Sequence, residues 1–353
     1  MSKCFTAAVV YDTSAINRDE KIGNNVLSIK KMTINGETYS AISRPSQTHH
    51  LFNTLNMIDG ETWRASHVKP SGSGSKKVVQ FDLTKENILN SAELDFFGYM
   101  GTESMNMRKS PIGITKAVSL YPWKGDMLFY ANHGLVKRAK EVDPSIQPNP
   151  YSKEEHSSFY KTHFTIDNNR IGNDYWLIEE GSVEETSDGL KITTSKKSNN
   201  VEFSGFRKQD ENIFVNNDGS AITIEKLSET EKALKVSFGL AESIRKKRIE
   251  SFLKAIRNGI VFHSSGEAPG LNPVFIIAAV VDVPMPVFNG YIQLSPEKEA
   301  KIASKTLEQS LMNEYIQNYF LFDGIGLLDN AVNTEKPKTD DWGTFVEDYL
   351  KEE

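Results

Sequence analysis

Residues 3–12 read Lys3-Cys4-Phe5-Thr6-Ala7-Ala8-Val9-Val10-Tyr11-Asp12, rich in β-branched and aromatic types. Such a run is best placed on a central strand. Working outward, residues 13–25 are polar and carry Arg18 and Lys21 just past the strand end. Residues 26–34 alternate and reach Asn35-Gly36, the strongest short hairpin signal in the chain, so residues 38–42 return as its partner strand. Ser43-Arg44-Pro45-Ser46 then supplies a helix start, with Leu51, Leu55 and Met57 for the inner side.

Further along, residues 64–77 (Arg-Ala-Ser-His-Val-Lys-Pro-Ser-Gly-Ser-Gly-Ser-Lys-Lys) have too little apolar surface to order themselves and predict a mobile loop. Strands are expected at 78–83, 114–120 and 159–167, and a projecting connection at the Pro144, Pro148, Pro150 run. Residues 181–225 are short strand-like pieces separated by turn formers, an inserted β-hairpin unit. Ile249, Phe252, Leu253, Ile256 and Ile260 then mark one face of a helix, with Gly259 as its C-cap. A strand is expected at 273–283, a long helix over 296–322, and an acidic tail ordered only by a partner after residue 330.

This order predicts an α+β protein with helices on one face of the sheet, in the RRM-like or ferredoxin-like class. Residues 1–330 form one domain with insertions at about 60–80, 121–158 and 176–225, and residues 331–353 form the tail.

Of the chain's 353 residues, 41 are Lys or Arg and 47 are Asp or Glu, a formal net charge of −6. That argues against binding nucleic acid through bulk charge. The lone Cys4 closes no intrachain disulfide, and no apolar run is long enough to span a bilayer, so a soluble, cytoplasmic protein is expected. Seven histidines show no metal-ligand spacing. Gly-x-Ser-x-Gly is missing, and the 71–77 stretch lacks Walker A spacing. Neither a metal nor another cofactor is expected. Positive charge is nevertheless clustered at Arg18 and Lys21, Lys30-Lys31, Arg108-Lys109, Lys137-Arg138-Lys140 and 245–248, with hydroxyls nearby at Ser43, Ser110 and Ser264. A groove for a phosphate backbone needs that mixture of groups.

Four segments, in order, resemble the CRISPR-associated Cascade backbone subunit, in the DevR type of type I-B systems. They are Ala15-Ile16-Asn17-Arg18-Asp19, then 39–51, then Phe96-Phe97-Gly98-Tyr99-Met100 followed by Arg108-Lys109-Ser110-Pro111-Ile112 and 115–120, then Gly266-Glu267-Ala268-Pro269-Gly270. The resemblance implies a non-catalytic RNA-binding protomer with an RRM-like palm, inserted finger and thumb, and head-to-tail assembly along one guide RNA. Its implied partners are the guide (crRNA), target DNA paired to that guide, copies of itself and other Cascade subunits. Arg18, Lys21, Ser43, Arg44, His49, Arg108, Lys109 and Ser110 are then expected to hold phosphates or 2′-hydroxyls. Gly266 and Gly270 let the backbone approach the RNA. The thumb candidates are Trp123, Met127, Phe129, Lys137 and Arg138, an apolar tip to wedge into a base stack. His49-His50 stand where relatives often carry Lys or Arg. The rival reading is a metal-dependent ribonuclease on the same scaffold using Asp19, and a third is a polymerising structural protein without nucleic acid.

Overall fold

The computed structural model describes residues 3–15, 17–18, 26–72, 74, 77–101, 106–179, 182–194, 200–227, 233–263 and 267–351. Strand β1 (Cys4–Ser14) runs down the middle of the largest sheet. Phe5, Ala7, Val9 and Tyr11 enter one core and Cys4, Ala8 and Val10 another, so both faces are covered and the strand is apolar from Cys4 to Tyr11 apart from Thr6.

The expected strand over 26–34 is divided into β2 (Val26–Leu27) and β3 (Lys31–Ile34). Strand β3 pairs with β4 (Glu37–Ile42) around Asn35 and Gly36, whose φ angles of 51° and 85° suit a type I′ turn. Helix α1 (Arg44–Ile58) starts where Ser43 Oγ accepts the Ser46 N–H at 3.3 Å, with Pro45 in its first turn. Leu51 and Leu55 are buried, but Met57 is exposed, two positions past the inward stripe.

The stretch expected as a mobile loop contains β5 (Val68–Ser71), which pairs with β6 (Val78–Phe81) inside the strand expected at 78–83. Its entry is fixed by buried Glu86, which takes two 2.8 Å hydrogen bonds from Arg64 and a third from the His67 N–H. Helix α2 (Ala92–Phe97) ends at Gly98, where φ is 75° and a Cβ would lie 2.4 Å from the Arg108 carbonyl, so only glycine fits. Strands β7 (Tyr99–Met100), β8 (Met107–Arg108), β9 (Ile112–Ile114) and β10 (Ala117–Ser119) follow. An arm of β11 (Met127–Tyr130), α3 (His133–Ala139) and β12 (Tyr151–Glu154) leads into β13 (Ser157–Ile166).

Next come β14 (Asn173–Glu179), β15 (Val183–Thr186), β16 (Gly189–Thr193), β17 (Asn200–Ser204), β18 (Arg207–Asp210), β19 (Ile213–Val215), β20 (Ala221–Lys226) and β21 (Ala233–Gly239). They form a five-stranded and a three-stranded sheet around Trp176, Phe203, Phe214 and Phe238. Helix α4 (Glu242–Asn258), strand β22 (Asn272–Val281), helix α5 (Ser304–Leu311), strands β23 (Ile316–Asp323) and β24 (Lys338–Thr339), and helix α6 (Trp342–Leu350) complete the chain.

The main sheet has the order β24-β23-β22-β1-β13-β10-β4-β3. Helix α1 lies between β1 and β10 in the chain, and α4 between β13 and β22. Neighbours within β22-β1-β13-β10 are antiparallel. Side chains of α1, α4 and α6 fill one face. The opposite face is covered too, by Val287, Phe288, Ile292, Ile302 and the α5 residues Leu307 and Leu311, contrary to the expectation of helices on one face only.

Two further expectations fail. The helix predicted over 296–322 is the short α5 followed by β23, which pairs with β22: Ile316 and Phe320 fit a helical period, but buried β22 requires a strand neighbour. The tail orders itself on its own chain. Asp341 caps α6 by accepting the Thr344 N–H at 2.8 Å, and Phe345 and Tyr349 pack on Phe5.

Candidate nucleic-acid interface

The end of β1, the start of α1 and the loop residues 261–263 and 267–270 meet in one place. Thr13 Oγ1 donates to the Gly270 carbonyl at 2.8 Å, and the Ser43 N–H donates to Asn17 Oδ1 at 2.8 Å. The loop is pinned to α1 by the Val261 N–H on Thr54 Oγ1 and by the His50 ring on Phe262, centroids 4.8 Å apart. His49 is exposed, within 3.1 Å of Asn53 Nδ2, with its ring against His50. Burial, and next the neighbouring His49, lower the His50 pKa, which favours the neutral ring. Arg44 is exposed and has neither hydrogen bond nor ion pair among the described residues. Lys116, which sequence reasoning missed, is also exposed, and the Ala117–Ile42 pairing sets it beside Ser43. Here a helix N-terminus, a hydroxyl and two cations without an ion pair among the described residues are together, an arrangement suited to an anion.

The arm begins a few residues away. Its strands pair antiparallel, β12 also pairs parallel with β2, and Arg18 reaches Glu155 at 3.1 Å and the Glu154 carbonyl. Across the hairpin the Tyr130 and Tyr151 rings stack 5.3 Å apart, and Lys153 Nζ lies 4.9 Å from the Tyr130 centroid. This aromatic pair with its lysine was also missed, because only the strand register brings residues 130, 151 and 153 together. Trp123, a thumb candidate, is at the root of the arm: its Nε1–H donates to the Glu155 carbonyl at 3.1 Å, and Lys31 Nζ sits 4.0 Å above its ring. Farther out Met127, Leu128 and Phe129 are exposed, Phe129 by 69%. Lys137 and Arg138 on α3 are exposed without an ion pair among the described residues.

Arg108 departs from its expected role. Its side chain is 2% exposed, paired at 2.8 Å with the fully buried Asp95 and lying 3.6 Å from Asp174. Asp95 also binds Arg248 at 3.0 Å and accepts the Gly172 N–H at 2.9 Å. Burial raises the Asp174 pKa against the opposing pull of Arg108. Nor is the 245–248 run a free basic patch: Arg245 and Lys246 pair with Glu242, Lys247 with Asp59 and Arg248 with Asp95. Ser110 Oγ is occupied locally, 2.8 Å from the carbonyls of Phe96 and Ile112. Lys109 is exposed. Lys21, Gly266 and the rival reading's Asp19 lie outside the described residues. Among the described residues no group of three or more His, Cys, Asp or Glu is placed to hold a metal, and no helix is long and apolar enough to cross a membrane.

These features define a mixed α+β protein with a large sheet, a cation-bearing helix start and a projecting arm. Its fold is similar to that of a chain from a solved structure described as "CRISPR RNA-guided surveillance complex, pre-nicking", with a TM-score of 0.54 and 9% identity, covering 98% of this chain and 99% of that one. Residues 5–302 match the family model "CRISPR-associated negative auto-regulator DevR/Csa2", and the chain belongs to that family. A protein of Myxococcus xanthus (strain DK1622), "CRISPR-associated protein Cas7/Cst2/DevR", is 27% identical over 161 residues, 42% of this chain and 52% of that relative. The match thus spans about half the length of the curated relative. The resemblance drawn from the sequence motifs holds at the level of the family.

Proposed function

We propose that the chain is a guide-RNA-binding backbone subunit of a type I CRISPR surveillance complex. In this reading it polymerises head to tail along the guide and presents it for pairing with target DNA. The observation that carries it is the pairing of DevR/Csa2 family membership with cations that have no carboxylate partner among the described residues, Arg44 and Lys116 at the helix start and Lys137 and Arg138 on the arm. Phosphate contacts of that kind supply affinity without reading sequence, as a subunit serving many guides requires.

The strands β22-β1-β13-β10 are the RRM-like palm and the β11–α3–β12 arm is the thumb, with Met127 and Phe129 set to wedge between bases. The partners are the crRNA, copies of this chain and other subunits of the complex. The protomer itself cleaves nothing and acts in the cytoplasm.

The test is to purify the full chain from cells that transcribe a CRISPR array, digest exposed RNA with nuclease, and sequence what stays bound. Protected spacer-derived RNA is expected. Nucleic-acid-free protein that also fails to shift a labelled oligoribonucleotide at low salt overturns the proposal.

A further inference from the structure

Glu267 sits between two cations at the root of the arm. Its carboxylate lies 3.5 Å from Arg18 Nη2 on one side and is in contact with Lys153 Nζ on the other. Each of these cations is less exposed than Glu267 and is held by other groups. Arg18 also bonds Glu155 and the Glu154 carbonyl, while Lys153 lies against the Tyr130 and Tyr151 rings. Glu267, by contrast, is on a loop fastened on either side, by the reciprocal Ile260–Leu271 bonds and by the Gly270 N–H on the Phe262 carbonyl. The carboxylate can therefore leave while the cations and the strand ends stay where they are.

A carboxylate offers the same paired acceptor oxygens as a phosphodiester, and a partly exposed ion pair adds little to folding. The stacked tyrosines beside Lys153 add an aromatic face of the kind on which bases of a single strand stack.

We propose that Glu267 occupies the seat of one backbone phosphate of single-stranded RNA, bridging Arg18 and Lys153, and that the incoming strand ejects it. The inference rests on the RNA-binding reading above and deepens it. Glu267 then acts as a competitor built into the site: any polyanion must displace it, so weak, stray ligands are disfavoured more than a guide held at many points.

The experiment measures affinity of the full chain for a fluorescein-labelled oligouridine across a potassium chloride series, for the wild type, Glu267→Gln, Lys153→Gln and the double variant. Glu267→Gln is expected to bind roughly threefold to tenfold more tightly, with a log K against log salt slope steeper by about 0.7, the contribution of one phosphate contact on a single strand. In the Lys153→Gln background most of that gain disappears. Unchanged or weaker binding by Glu267→Gln, or an equal gain with and without Lys153, overturns the proposal. So does a Glu267→Gln chain that no longer folds, since the carboxylate is then structural. Wild-type protein that binds no RNA at any salt instead removes the underlying RNA-binding reading.

Discussion

Around Asp95, two guanidinium groups are sealed from water: Arg108 and Arg248 share one carboxylate, and the carbonyls of Asp95, Arg170 and Asn173 accept from Arg108 while those of Ile88 and Leu89 accept from Arg248. Around Ser43 and along the arm, Arg44, Lys116, Lys137 and Arg138 face solvent with no carboxylate partner among the described residues. The first cluster joins α2 and β8 to α4 and to β14 of the inserted β unit. The second leaves its charge available. The same residue type thus serves cohesion where an acid is buried with it and recognition where none is. What separates the two is the partner, not the cation.

The sharpest way to break this comparison is Asp95→Asn. The amide keeps the shape but strips buried Arg248 of its paired carboxylate and leaves Arg108 with Asp174 alone, and breaking a buried pair costs about 3–5 kcal/mol. A large fall in thermal midpoint is expected, with the RNA affinity of the folded fraction retained. If the stability were untouched, the junction would not be cohesive and Arg108 would again be a candidate ligand-binding side chain.

Why one region was readable from the sequence and the other was not follows from range. The β1 run, the Asn35-Gly36 turn, the Ser43 cap and the apolar stripe of α4 are local patterns, and each reappears in the fold. Arg108 meets Asp95 across thirteen residues and Asp174 across sixty-six, which a motif reading of Arg108-Lys109-Ser110-Pro111 cannot register. The period of Ile316 and Phe320 suited a helix or a strand, and pairing with β22 decided it. In the candidate site, Ser43 and Arg44 are suggested by a local pattern and His49 and Gly270 by the family resemblance, whereas Lys116, Lys153, Tyr130 and Tyr151 come together only through strand register.

The second face of the main sheet extends the comparison to a buried base. His163 is nearly inaccessible, and burial pushes it down to about 4, with Nε2 unpartnered among the described residues. The unfolded chain takes up this proton near pH 6.5 and the folded one does not. Stability from the neutral ring is therefore fully present above about pH 6.5 and is lost as pH falls toward 4. Between pH 7 and 5 the loss from this residue is about 2 kcal/mol. Urea midpoints across that range should fall for the wild type and fall less for His163→Gln; equal slopes would mean that His163 titrates alike in both states.

On the exposed side, Lys137→Ala with Arg138→Ala should leave the thermal midpoint within about a degree, since these side chains make no contact the fold depends on. RNA affinity should fall by roughly tenfold for every guide sequence tested, with the salt slope shallower by about 1.4 for two lost phosphate contacts. An effect on one sequence only would turn the arm from a phosphate binder into a base reader.

Arg44→Ala gives the smallest expected change and the finest test. The residue follows a serine cap and precedes Pro45, so the helix start keeps its own hydrogen bond when the guanidinium is removed. Removal should weaken RNA binding by about threefold and flatten the salt slope by about 0.7, with thermal stability unchanged. Arg44→Lys, which keeps the charge but loses the planar fork, distinguishes the two ways this side chain can hold an anion. Recovery by lysine means that the charge at the helix start suffices, whereas no recovery means a two-pronged grip on one phosphate. Loss of stability in Arg44→Ala would break the comparison from the opposite side, because an exposed cation without a partner would then be serving cohesion.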